Sequence, residues 1–303
     1  MASWQAHLAV WIVRRRVKRR LRGAPDYRWA RKVLTPEPYT VPPAARISSA
    51  EIGGVPGEWV EGDSAPQGIL LYLHGGGYFA CSAETHRPIT VSYAMRGFRV
   101  FAANYRLAPE NQFPAAIDDA VAAYRGLLDA GHQPGRIVLG GDSAGGGLAL
   151  SLLVGLRDAG IPLPAGAAVF SPWTDLAATG ESIRTNARRC AMFHGKDIGP
   201  SARYYLGETD PRNPLASPLY ADLAGLPPLL LHVGANEVLR DDSIRFAERA
   251  RAAGVRAELK VWPIVPHAWQ LAPHKIPEAR QSLSESATFL RKLLASGESS
   301  ERA

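Results

Sequence analysis

The stretch Leu139-Gly140-Gly141-Asp142-Ser143-Ala144-Gly145-Gly146-Gly147-Leu148-Ala149 decides the fold. Ahead of it runs Arg136-Ile137-Val138-Leu139, short, apolar and β-branched, which predicts a buried strand. Behind it, 148–156 is rich in Leu and Ala and long enough for a buried helix. Between the two lies Gly141-Asp142-Ser143-Ala144-Gly145, a G-x-S-x-G spacing. In a strand–turn–helix setting this spacing makes a sharp turn that pushes its serine out of the sheet. A strained turn holds Oγ outward, and only small neighbours let the strand and helix backbones pass. The helix N-terminus beneath adds free N–H groups and partial positive charge. Taken alone, the pattern also suits a Gly-rich turn with an N-capping serine, the lesser of the two readings.

The residues upstream discriminate. Gly68-Ile69-Leu70-Leu71-Tyr72-Leu73 predicts a buried strand that ends in His74-Gly75-Gly76-Gly77-Tyr78. Three glycines let a backbone aim its N–H groups at a developing alkoxide that side chains would obstruct. HGGG, then Tyr105-Arg106-Leu107-Ala108-Pro109-Glu110, then GDSAGG together resemble the hormone-sensitive-lipase-like branch of α/β-hydrolase esterases. The matching features run from about 70 to 269. The resemblance implies an α/β-hydrolase fold: a mostly parallel central sheet, helices on both faces and a helical cap over the site. It implies cap pieces at 1–45 and 178–226, and a catalytic core formed by 46–177 and 227–303.

The remaining pattern agrees with such a sheet. Strands are expected at 98–105, 166–170, 228–234 and 256–262, and helices at 113–128, 241–253 and 276–294. The helix at 113–128 is expected to present Ile117, Val121, Tyr124 and Leu128 on one side. Strands alternating with helices argue for parallel pairing covered on both faces. Short strands and turns fill 46–60, and a frayed polar tail is expected from Ser296. The segment 178–226 breaks the rhythm with Arg188-Arg189 and Pro200, Pro211, Pro214 and Pro218, as a functional lid does.

A nucleophilic serine needs a base and a group that orients it. In α/β-hydrolases the order is Ser, acid, His, each beyond the carboxyl end of a strand. His267 lies in the loop after the strand ending at Trp262, whereas His232 falls inside a strand and His274 lies farther on. By resemblance the acid opens an Asp-Pro-Leu-x-Asp pattern; here Glu237-Val238-Leu239-Arg240-Asp241 stands in that place. Register selects Glu237, with Asp241 and Asp242 as alternatives that fit better as first-turn helix acids. The usual His-Gly-Phe is His267-Ala268-Trp269. By resemblance the oxyanion donors are the backbone N–H groups of Gly76, Gly77 and Ala144. His74 reads as a residue that fixes the glycine loop; Asp142 reads either so or as a solvated acid.

The resemblance thus implies a serine carboxylesterase acting on short- to medium-chain acyl esters through an acyl-enzyme. No cofactor and no metal is called for. Lactones, carbamates and amides suit the same triad and differ in pocket shape. A non-catalytic ligand-binding protein is a further class, disfavoured because Ser143, Glu237 and His267 are all present.

Composition bounds the partners. The 303 residues carry a net charge of +7, but residues 1–32 hold ten Lys/Arg against Asp26 alone, so that segment is +9 and the rest −2. No basic groove for nucleic acid is expected. Cys81 and Cys190 read as free thiols. The apolar run at 7–13 precedes the arginines, the reverse of a signal peptide, and falls short of the roughly 20 residues of a membrane span. A cytoplasmic enzyme with a small-molecule ester substrate is expected, its oligomeric state open and a homodimer among the options. Val10, Val13, Val17 and Leu21 predict one apolar helical face over the pocket mouth, opposite arginines in water. A basic amphipathic helix also suits an anionic membrane surface, the second reading of the same residues. Pro36, Pro38, Pro42 and Pro43 end the helical pattern.

Overall fold

One eight-stranded sheet organises the chain in a computed structural model that describes residues 2–22, 26–35 and 38–300, with side chains as far as 295. Helix α1 (Trp4–Val13) runs into a π-turn at Arg14–Lys18 and a last turn, α2 (Arg19–Leu21); α3 (Tyr27–Leu34) follows. Then come β1 (Ala45–Ile52), β2 (Val55–Gly62), β3 (Ile69–Leu73), α4 (Arg87–Ala94), β4 (Arg99–Ala103), α5 (Ala115–Asp129), β5 (Ile137–Asp142), α6 (Ser143–Asp158) and β6 (Ala167–Phe170). A long segment containing α7 (Ser182–Thr185) and α8 (Ile198–Leu206) precedes β7 (Leu229–Gly234), α9 (Arg240–Ala252), β8 (Ala257–Trp262) and α10 (Pro277–Ser300). The strand order is β1-β2-β4-β3-β5-β6-β7-β8. The β1–β2 and β2–β4 pairs are antiparallel and every other pair is parallel.

Period-two alternation along β3 assigns the two faces. Ile69, Leu71 and Leu73 join Ile117 and Ala120 of α5, Leu148 and Leu152 of α6 and Phe246 of α9. Leu70 and Tyr72 join Ile89 and Tyr93 of α4 and Leu283 and Leu290 of α10. With both faces covered, every β3 residue is buried, which is why the strand reads as a continuous apolar run. Each such side chain contributes about 1.5–3 kcal/mol on burial.

Several elements depart from the sequence expectation for identifiable reasons. Helix α6 begins at Ser143, ahead of its Leu/Ala run. Three glycines enter a helix there, and at two of them the space forbids anything larger: a Cβ at Gly145 would lie 2.1 Å from the Leu73 carbonyl oxygen, and one at Gly147 2.1 Å from that of Trp173. Close packing overrides helix propensity. The buried face of α5 runs through Ala116, Ala120, Ala123 and Leu127 beside Ile117 and Tyr124, leaving Val121 and Leu128 at its margin. Helix α4 has no counterpart in the expectation; it is short and buried on nearly all sides, so it shows no amphipathic period. The tail expected to fray from Ser296 continues α10 to Ser300, and 301–303 lie outside the described residues, as does Pro36.

The N-terminal face needs a larger correction. Val10, Val13 and Val17 are only half-buried; the buried residues are Ala6 and Lys18. The π-turn inserts an extra residue, so regular helical spacing does not carry across it. Lys18 leaves the water that the basic face was expected to keep. Its Nζ donates to the carbonyls of Ala187 and Cys190, each at 2.7 Å, and burial pushes its ammonium pKa down. Both cysteines are free. Among the described residues no helix is long and apolar enough to cross a membrane.

Candidate active site

Ser143 sits where β5 becomes α6, at φ +54°. A left-handed conformation at a residue with a Cβ is strained and persists only where its surroundings over-determine it. The surroundings are the two glycines of the motif: a Cβ at Gly141 would lie 2.4 Å from the Gly145 carbonyl oxygen. The Ala144 N–H lies in the first turn of α6, where helix geometry leaves donors free.

Across the sheet edge, Glu237 follows β7 and His267 follows β8. His267 Nδ1 donates to Glu237 Oε2 at 2.5 Å, with both residues nearly sealed from solvent. The other carboxylate oxygen, Oε1, accepts from the Ser171 hydroxyl at 2.7 Å and from the Gly234 N–H at 2.6 Å. Glu237 is thereby fixed by two donors of its own while it orients the ring. His267 Nε2 is buried and has no hydrogen-bond partner, and His267 lines the same cavity as Ser143. Asp241 and Asp242 are placed elsewhere. Asp241 accepts from the Ser182 N–H at 2.7 Å, and Asp242 from the N–H groups of Thr174 and Asp175, each at 2.9 Å. His232 bonds Ser282 inside the core, and His274 stacks on Tyr39 at the surface.

The glycine loop has its own frame. Gly76 and Gly77 take φ values of +121° and +65°, and their N–H groups have no acceptor among the described residues. His74 is buried, bonds the Gly75 carbonyl through Nδ1 at 2.7 Å and stacks on Tyr105 at 4.4 Å. Tyr105 in turn donates to the His74 carbonyl at 2.7 Å. Burial and the nearby His86 push the His74 pKa down to about 4, so its ring is neutral near neutral pH. Asp142 is no solvated acid. It is buried and accepts from the Tyr72 hydroxyl at 2.7 Å and the Gly75 N–H at 3.1 Å, with His86 Nε2 at 3.3 Å. Burial works to raise its carboxyl pKa, but His86 and Tyr72 outweigh it and hold the group below the usual carboxylate range.

Gly76, Gly77, Ser143 and His267 line one cavity of about 280 Å³. Phe79, Trp173, Phe193, Ile198, Tyr204 and Leu271 supply apolar wall. Of the expected face only Leu21 lines it, while Val10, Val13 and Val17 do not; Asp26, Ala30 and Leu34 complete the N-terminal segment's share of the wall. The ring of Phe193 meets His267 edge-on at 5.0 Å. Three positions here escaped sequence reasoning. Ser171 braces the acid from the end of β6. Asn186 donates to the carbonyls of Ala235 and Glu237, tying the 178–226 segment to the acid's own turn. His86 stands behind the glycine loop, its Nε2 3.3 Å from the Asp142 carboxylate that also accepts from the Gly75 N–H. None belongs to a local motif; only the fold brings them near.

Known proteins show the family of the chain. A family model described as the α/β hydrolase fold matches residues 70–271. An acetyl-hydrolase of Streptomyces hygroscopicus is 45% identical over 252 residues, 83% of this chain and 83% of that one. An esterase of Acinetobacter venetianus is 36% identical over 253 residues, 83% of this chain and 84% of the relative. The crystal structure of an esterase from the bacterial hormone-sensitive lipase family superposes with a TM-score of 0.89 at 42% identity, covering 97% of this chain and 99% of that one. That of an esterase/lipase from an uncultured bacterium gives 0.92 at 37% identity, covering 97% and 100%. The chain belongs to the α/β-hydrolase family, in the hormone-sensitive-lipase-like branch of its esterases.

Proposed function

We propose that this enzyme hydrolyses short- to medium-chain carboxylic esters through an acyl-enzyme, with Ser143 as nucleophile, His267 as base and Glu237 as orienting acid. One observation carries the reading: a buried histidine, held through Nδ1 by a braced carboxylate and with no partner at Nε2, lines the same cavity as a strained serine. Ser143 Oγ attacks the ester carbonyl while His267 Nε2 takes its proton, and Glu237 stabilises the cation that forms. The carbonyl oxygen gathers negative charge against the N–H groups of Gly76, Gly77 and Ala144. Donors of this kind contribute about 3 kcal/mol each to transition-state stabilisation. His267 then gives its proton to the leaving alcohol, and a water repeats the cycle on the acyl-enzyme.

A cavity of about 280 Å³ walled by Phe79, Phe193 and Tyr204 supports short acyl groups, as does the name acetyl-hydrolase carried by the Streptomyces relative. In our reading residues 1–45 and 178–226 act as the cap that sets this choice, in a cytoplasmic enzyme. The test is hydrolysis of p-nitrophenyl esters from acetate to palmitate by wild type and Ser143→Ala. Short esters should be favoured, and the variant should fold and be inactive. Appreciable esterase activity in the variant would remove Ser143 from the mechanism.

A further inference from the structure

We propose that the outer surface of α1–α3 is a docking face for an anionic lipid bilayer. Among the described residues, four of the six exposed large apolar side chains fall between 4 and 29: Trp4 is 70% exposed, Leu8 45%, Trp11 54% and Trp29 36%. Residues 4, 8 and 11 are spaced by four and three and so share one side of α1. That side lies opposite Ala6, which packs on Trp262, Trp269 and Ile276. The helix is not a loose tail. Ser3 caps it by accepting from the Ala6 N–H, and its own N–H and hydroxyl donate to the Glu278 carboxylate at 2.6 and 2.8 Å. Lys18 and Arg14 fasten the following turn to Ala187, Cys190 and Arg189. An apolar stripe on a fixed helix has the water-facing position that ordinary folding assigns to polar residues.

The charge around the stripe identifies its occupant. Arg15, Arg16, Arg19, Arg20, Arg22 and Arg28 are exposed and make no ion pair among the described residues. Arg15 lies over the Trp11 ring at 4.8 Å, and Arg20 over Trp29 at 5.6 Å, so cations and indoles form one surface. Arg188 and Arg189, exposed on the segment that Arg14 and Lys18 grip, extend it. A second copy of the chain would set a +9 segment against its twin. A nucleic acid would answer the arginines but leave Leu8 in water. An anionic bilayer answers both: indoles and Leu enter the headgroup boundary while the arginines meet phosphates. Leu21 and Asp26, at the far end of the same segment, line the catalytic cavity, so docking brings its mouth to the lipid surface.

The test is flotation of the full-length protein with vesicles of phosphatidylcholine alone and of phosphatidylcholine with phosphatidylglycerol. Binding is also read on Ser143→Ala, so that the outcome is independent of the catalytic assignment. The expected result is binding to the phosphatidylglycerol vesicles only, weakened by salt, with a blue shift of tryptophan emission. The triple variant Trp4→Ser, Leu8→Ser, Trp11→Ser and the quadruple variant Arg15→Gln, Arg16→Gln, Arg19→Gln, Arg20→Gln should each lose at least about tenfold in vesicle affinity. Turnover of soluble p-nitrophenyl butyrate and melting temperature should stay at wild-type values in both. Absence of vesicle binding overturns the proposal, as does full binding by the triple variant, which would leave charge alone at work. Preferential binding to duplex DNA, or a dimer that the triple variant dissolves, would each assign the face to a different occupant and overturn it too.

Discussion

The catalytic edge of the sheet and the segments above it are held together in opposite ways. At the edge, backbone meets backbone: Gly141, Gly145 and Gly76 each sit where a Cβ would lie within 2.4 Å of a carbonyl oxygen. Above it, side chains reach down to backbone or to one another. Lys18 holds the carbonyls of Ala187 and Cys190, Asn186 those of Ala235 and Glu237, and Arg245 the Thr179 hydroxyl. The first kind of contact tolerates no change of residue. The second can be cut one bond at a time and its loss graded.

Substitutions should therefore separate the two regions, beginning with the most damaging. Gly145→Ala puts a methyl 2.1 Å from the Leu73 carbonyl oxygen and 2.3 Å from that of His74. Activity should fall to background, with lower folded yield by circular dichroism; a variant of wild-type activity would show that the elbow can shift. Asp142→Asn, which removes the charged acceptor behind the glycine loop, should lower kcat by about tenfold to a hundredfold, since hydrogen bonds to charged groups contribute about 1.5–3 kcal/mol. Steady-state kinetics on a soluble ester measures it, and an effect confined to KM would deny the loop role. Lys18→Met should cost about 2 kcal/mol in denaturant unfolding and alter the ranking of acyl chains, with kcat on acetate esters little changed. A fall in acetate turnover matching that of Asp142→Asn would erase the distinction between the regions.

The smallest effect is a pH dependence. Burial and the neighbouring Asp175 push the Asp242 carboxyl up to about 8, against the pull of Arg245. Burial also acts to raise Asp175, but Thr179 and Arg245 outweigh it and hold that group low, so the pair shares one proton. Between the ordinary carboxylate pKa near 4 and about 8, the native state keeps a proton that the unfolded chain has released. Stability therefore falls as pH rises through this window and levels off above it. Asp242→Asn should flatten the slope and raise the melting temperature at pH 8 by about 2 °C or more. His74, with its pKa depressed to about 4, works in the opposite sense: its contribution is present above the unfolded value near 6.5 and is lost as pH falls toward 4.

This division also governs what the chain discloses before folding. The elbow and the glycine loop are local: sterics write them into neighbouring residues, and Gly141-Asp142-Ser143-Ala144-Gly145 and His74-Gly75-Gly76-Gly77 can be read directly. The alternation of strands and helices follows from burial on two faces and is legible too, except at α4, whose burial on nearly all sides hides its period. Ser171, Asn186 and His86 are not, because their roles arise from contacts 66, 51 and 56 residues away in the chain. Lys18 misleads for a different reason. In a run of arginines a basic residue reads as solvated, and only the carbonyls of a distant segment make its burial tolerable. The π-turn at Arg14–Lys18 likewise defeats a reading based on regular helical spacing.

The central claim is that Glu237 orients His267 while Asp241 holds the segment above. The direct measurement compares kcat of Glu237→Gln and Asp241→Asn on one soluble ester, with folding checked by melting temperature. An amide at 237 keeps the volume but removes the charge that accepts from Nδ1 at 2.5 Å, and kcat should fall by about four orders of magnitude. Asp241→Asn loses the charge that accepts from the Ser182 N–H and should stay near wild-type turnover with reduced stability. The reverse ranking, with Asp241→Asn inactive and Glu237→Gln near wild type, would contradict the account.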